Sequence, residues 1–440
     1  MKTVLLIVAA VVVGALTWGF TTGAQPVPTR VAWRGPDVDP SWAASLPSDP
    51  AAATAAYLAR VPAEVRARGD AFSTTSRITM VANAAVLIGS IAILMFSGAG
   101  RGMRDLARRI TSRAALQDAI VVLLTLALFF LLSLPVETFA GFVRMRHAGL
   151  THIAYARWLG EAVLRWAVTA PFIAVGVVAF YALIRRRPQS WAMWATAVYA
   201  LLSCVFVLLT PQYIAPLFNH IAPMADGPQK QEILSLARAN GVPANDVFVQ
   251  NASRQSELLN AHVSGFAGAA QIVLDDNTIA TTPAAEVRLV MAHEIGHYVL
   301  AHVMKGIVFD TLIMGLGFVF AGWVTTRLIA RFGDRWQVAD LRDDGAFPVF
   351  WGLLMFWGFL ALPVSNSISR QQEAEADMFG INASQQPLGL AEFMIRDADA
   401  RQLDPSPVVE TWFFNHPSSR NRIFAAMRWR AEHLERGGEP

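Results

Sequence analysis

The chain has 440 residues with a net charge of +3, is 54% hydrophobic and only 16% charged, and has a mean hydropathy of +0.39. An ordinary soluble domain carries nearer about 25% charged residues, so this composition argues against a soluble globular protein and for a polytopic membrane protein. The basic residues fall in short clusters rather than one broad stripe, which points to membrane topology and away from nucleic-acid binding.

In chain order, seven apolar runs are of roughly spanning length: residues 4–20, 78–96, 119–136, 167–184, 191–209, 307–325 and 347–362. The first follows Lys2 and resembles a signal peptide, but no small-x-small cleavage site ends it, so the segment 1–20 is read as a retained span or signal anchor. Residues 21–77 form a polar loop with a Pro- and Asp-rich start and an Ala-rich second half of helical character, and residues 78–209 hold spans two to five. Cys204 lies alone within the fifth run and reads as a small packed apolar residue. Residues 210–305 are long enough for a folded unit, 306–364 contain the last two spans, and 365–440 form a mostly helical tail. Two spans separate these polar blocks, and an even number of crossings returns the chain to the same side. Both blocks are therefore expected to build one domain.

Within the first block, "MAHEIGHYVLAH" (291–302) contains His-Glu-x-x-His at His293, Glu294 and His297. Residues four apart share a helix face, so both imidazoles reach one ion, while Glu294 is placed to take a proton from the attacking water. The preceding "TTPAAEVRLVM" reads as a helix start, with Thr282 as cap, Pro283 at the first helical position and Glu286 in the first turn.

Such a site needs a third protein ligand. His302 is a poor candidate, because an uninterrupted helix turns it some 140° away from His297 at about 100° per residue. There is no Leu-Asp-Gly to supply an aspartate from a later span. "SRQQEAEADMFG" (369–380) offers three acids. If it is helical, Glu373 and Asp377 share one face and Glu375 points to the opposite side. Glu373 is then the expected ligand and Asp377 the acceptor for the other ring N–H of a ligand histidine. Glu375 is the competing ligand, or an exposed carboxylate. The metal expected is one Zn2+ per chain.

These residues resemble the integral-membrane CAAX prenyl endopeptidases of type 1, gluzincin metalloproteases. Similar stretches run from about residue 52 to the tail: "PQYIAPLFNHIAPM" (211–224), "LLNAHVSGF" (258–266), "QIVLDDNTI" (271–279), "HEIGHYVLAH" (293–302), "SRQQEAEAD" (369–377) and "NHPSSRNRI" (415–423). The resemblance implies a mainly α-helical barrel of about seven transmembrane helices enclosing a chamber, with a zinc protease domain and a small β element. It adds His416 and Arg422 as candidates for steadying the oxyanion, and Asn260, Ala261 and Gly265 as the stretch that binds substrate backbone. It implies a zinc metalloendopeptidase in the bilayer acting on peptide or protein substrates, C-terminal or membrane-associated. A general membrane quality-control metalloprotease is the alternative, and a non-catalytic scaffold or transporter of the same fold a remote one. Arginine outnumbers lysine 33 to 3, which suits a GC-rich bacterial genome and hence a bacterial cell membrane. The arginine clusters at 101–113, 185–187 and 327–342 put the metal domain outside the cytoplasm by the positive-inside rule; the resemblance implies the reverse.

Overall fold

The structure, a computed structural model, describes residues 2–27, 33, 35, 39–266 and 269–434. It is mainly α-helical. Seven of its described helical stretches are long and apolar enough to cross a membrane. α1 (Lys2–Ala24) measures about 34 Å at 1.5 Å per residue, close to a hydrocarbon thickness of about 30 Å. It packs on α4 (Ala114–Thr138) and α5 (Tyr155–Arg186), and the bundle continues through α3 (Ala63–Phe96), α6 (Trp191–Leu209), α8 (His302–Trp336) and α9 (Phe347–Ser384). Leu6, Ile78, Ile88, Leu201, Leu316 and Trp323 are exposed along these helices, as expected where the surrounding solvent is lipid rather than water.

Several helices outrun the apolar runs that mark them in the sequence. α3 begins at Ala63, so the helical half of the polar loop is continuous with the second span. α9 carries the last span without a break into "SRQQEAEADMFG". Apolar patterning locates the part of a helix in lipid; the rest is set by where its polar half finds partners.

At one end of the bundle the arginine-rich connections meet. Arg104 Nη1 donates to Asp343 Oδ1 at 3.1 Å, and Arg185 Nη1 to Asp118 Oδ2 at 2.6 Å. Elsewhere the two polar blocks pack against one another in one region with two hydrophobic cores. Its first core joins the helix α2 (Pro50–Ala59) and the start of α3 to the tail helices α10 (Pro387–Arg396) and α11 (Ser419–Leu434): Tyr57, Leu58 and Val65 pack with Leu390, Met394, Ile423 and Met427. Asp49 caps α2 by accepting from Ala52 N at 2.7 Å. Alanines and aromatics of the segment read from sequence as a loop thus form part of this core.

The second core lies between a four-stranded sheet and α7 (Ala284–Val299), where Ile272 and Leu274 meet Val287, Met291 and Ile295. The sheet order is β1 (Ile221–Pro223), β2 (Val247–Gln250), β4 (Ala269–Asp275), β3 (Ala261–Phe266), with β2 and β4 parallel and the other pairs antiparallel. β3 is the edge strand beside α7, with Ala261 opposite Leu274 and Gly265 opposite Ala270. α7 starts one residue later than the sequence suggests: Pro283 is the cap residue, and Thr282 makes no cap hydrogen bond.

Between the spans lie two cavities, of about 520 and 530 Å3. Asp310 borders the first. Glu137 borders the second and accepts from Asn83 Nδ2 at 3.0 Å. Both acids are exposed and border these cavities rather than packed apolar surface, where an ionisable group at membrane depth would cost most.

Candidate metal centre

α7 and α9 cross at very short range, and two glycines permit it. A Cβ on Gly296 would meet the Phe379 ring at 3.0 Å, and one on Gly380 would meet the backbone of His293 at 3.1 Å. One glycine sits inside His-Glu-x-x-His and the other ends the acidic stretch, so each motif carries the small residue that lets the other approach.

The crossing brings His293, His297 and Glu373 together, with one ligand atom from each lying within 4.8 Å of the others. The two Nε2 atoms are 3.1 Å apart; His293 Nε2 is 3.3 Å from Glu373 Oε2, and His297 Nε2 is 3.5 Å from Glu373 Oε1. Bonds of about 2.0–2.2 Å to a tetrahedral zinc ion separate its ligand atoms by about 3.3–3.5 Å, so this donor set fits that ion. Electrostatics agree. Burial lowers the His293 pKa, but the Asp377 and Glu373 carboxylates outweigh it and push it up to about 9, so the pocket favours a positive charge at this point. Glu373 Oε2 is also buried and accepts no hydrogen bond among the described residues.

Asp377 Oδ1 lies 3.0 Å from His293 Nδ1, the ring nitrogen away from the ligand cluster. Arg422 grips Asp377 in turn, its Nε donating to Oδ2 at 2.7 Å and its Nη2 to Oδ1. The structure thus pairs Arg422 with Asp377, although it also borders the cleft. Glu294 stands one residue beyond His293, and burial pushes its carboxyl above the ordinary range, against the pull of the two imidazoles. His416 Nε2 reaches to 3.3 Å from Glu373 Oε2, and its side chain is half exposed. Desolvation lowers the His416 pKa against the attraction of Glu373, and Arg422 lowers it further, which favours a neutral ring.

A cleft of about 410 Å3 opens on this cluster, bordered by His293, Glu294, His416, Arg422, Asn260 and Ala261. Asn260 and Ala261 lie where the chain enters β3; Gly265 lies four residues further along that strand. Glu375, expected either as the ligand or as a plain surface carboxylate, is neither among the clustered donors nor idle. It meets His302, which was set aside on the premise of an uninterrupted helix. The premise fails at Ala301, whose φ of 55° breaks α7 from α8. The signal for this contact is weak in sequence, because Ala at a left-handed position is unusual.

Residues 224–430 match the model of peptidase family M48, and residues 63–220 match that of the CAAX prenyl protease N-terminal region with five membrane helices. The chain is 27% identical over 333 residues to an uncharacterized metalloprotease, YhfN, of Bacillus subtilis, covering 75% of this chain and 78% of that one. It is 25% identical over 316 residues to CAAX prenyl protease 1 of Saccharomyces cerevisiae, covering 67% and 68% respectively. In fold it is similar to the crystal structure of S. mikatae Ste24p, with a TM-score of 0.71 at 18% identity over 96% of this chain and 98% of that one.

Proposed function

Because the chain belongs to peptidase family M48, with the CAAX prenyl protease N-terminal region ahead of its protease part, we propose that its cleft hydrolyses peptide bonds near the C-termini of membrane-associated substrates. It is a multi-pass membrane zinc metalloprotease. The observation that carries the reading of its site is the convergence of His293, His297 and Glu373 beside Glu294, in a cleft flanked by an edge strand.

In this reading residues 210–305 and 365–440 are the two halves of one protease domain. His293, His297 and Glu373 hold zinc, and Asp377, steadied by Arg422, keeps the proton of His293 on Nδ1 so that Nε2 stays bare. Bound there, zinc supplies Lewis acidity and lowers the pKa of water towards about 7. Glu294 accepts the proton of the attacking water as the C–O bond forms, then delivers it to the amide nitrogen as the C–N bond breaks. His416, across the cleft, is placed to donate to the oxyanion; Arg422 contributes positive charge from behind Asp377. Substrate backbone would add to the outer side of the edge strand β3, where Ala261 and Gly265 lie, with Asn260 at its entry, its own backbone held by Thr278.

His416→Ala is expected to lower kcat by about a hundredfold, in the range seen on losing one oxyanion donor, with zinc content unchanged. Loss of zinc in that variant would instead make His416 a ligand.

The substrate class is tested by comparing three substrates in proteoliposomes: a lipid-anchored peptide with a free C-terminus, the same peptide without its anchor, and a destabilised membrane protein. Faster cleavage of the anchored peptide is expected. Cleavage of the destabilised protein alone would favour a general quality-control protease.

A further inference from the structure

Behind His297 lies a chain of polar groups that the roles above leave unused. His297 Nδ1 faces His302 Nδ1 at 2.9 Å, and His302 Nε2 faces Glu375 Oε2 at 3.1 Å. Glu375 also accepts from Gln371 Nε2 at 3.1 Å and lies 3.7 Å from Lys305 Nζ. His302 is fully buried, whereas Glu375 is partly exposed.

Protons can be placed along this chain in only one way if His297 is to bind metal. A neutral imidazole that offers Nε2 as a lone pair carries its proton on Nδ1. That proton points at His302 Nδ1, which must then be the bare nitrogen, so the proton of His302 sits on Nε2 and is donated to Glu375. The opposite arrangement would set the bare His302 Nε2 against a carboxylate oxygen and force the His297 proton onto Nε2, where it blocks the metal. A carboxylate accepts and never donates, so Glu375 selects the competent arrangement.

We propose that His302 and Glu375 are positioning residues, which hold His297 in its metal-binding tautomer and ring orientation as Asp377 and Arg422 do for His293. The inference rests on the reading of His297 as a zinc ligand. The backbone is shaped for the contact. An unbroken helix would carry His302 some 140° around from His297, and it is the left-handed turn at Ala301 that returns it.

The test is zinc affinity of the purified full-length protein, measured by competition with a chelator of known affinity. His302→Phe should weaken zinc binding about 10- to 100-fold, the usual range for losing a partner of a ligand histidine. Glu375→Ala should weaken it less, and Glu375→Gln, whose carbonyl still accepts from His302, should stay near wild type. The double variant His302→Phe/Glu375→Ala should be no weaker than His302→Phe alone. Wild-type affinity in His302→Phe overturns the proposal, and so do additive losses in the double variant. If His302→Phe does not fold, the exposed Glu375 pair decides alone: equal affinities for Glu375→Ala and Glu375→Gln overturn it. His297→Ala is the control. If that variant keeps wild-type affinity, the ligand assignment fails rather than the positioning chain.

Discussion

Replacing Glu373 by alanine is expected to leave the protein without stoichiometric zinc and without measurable proteolysis. Among the described residues, Glu373 is the one carboxylate whose oxygens lie within 3.5 Å of both His293 Nε2 and His297 Nε2. With it gone, two imidazoles remain, one short of the three protein ligands a catalytic zinc site uses. The comparison with Glu375→Ala is what makes the result specific. The two glutamates are two residues apart on α9 and differ by some 160° around the helix at about 100° per residue. Glu375→Ala should remain zinc-loaded at saturating metal, with an affinity reduced through His302. Zinc per chain, measured by elemental analysis on both variants after identical purification, separates them. Retained zinc in Glu373→Ala with loss in Glu375→Ala would reverse the ligand assignment. Removing the metal from the wild-type protein with a chelator should abolish cleavage, and stoichiometric zinc should restore it.

Glu294→Gln should lower kcat by about 10^2- to 10^4-fold, the range ascribed to a general acid–base group, while zinc content and KM stay close to wild type. The amide keeps the shape and hydrogen-bonding reach of the carboxylate but cannot take the water's proton. Glu294 is not among the clustered donor atoms, so its loss should spare the metal. Cleavage of a model peptide at the wild-type rate by this variant would exclude Glu294 as the base.

Much of this was legible in the chain because it depends on short-range periodicity. The spacing of four in His293 and His297, and again in Glu373 and Asp377, puts each pair on one helix face regardless of the surroundings. The seven apolar runs and the parity of crossings place both motifs at the same end of the bundle. What local pattern leaves out is contact between distant segments. Residues 50–65 read as part of the helical second half of a polar loop, and Tyr57 and Val65 are buried against Ile423 and Met427. Nothing in local composition announces that partner.

By itself the sequence determined a membrane bundle, a zinc motif and one carboxylate face suited to complete it, because hydropathy and helical phase are local properties. The tertiary structure decided how closely the two motif helices approach, through Gly296 and Gly380, and what stands behind each ligand. It set Arg422 behind Asp377 and, by turning the backbone at Ala301, set His302 and Glu375 behind His297. For Arg422 and the two glycines the physical reason is contact between segments far apart in the chain; for His302 it is the backbone break at Ala301. A single residue in the left-handed region redirects every side chain after it, so helical phase carried across such a break points to the wrong neighbour.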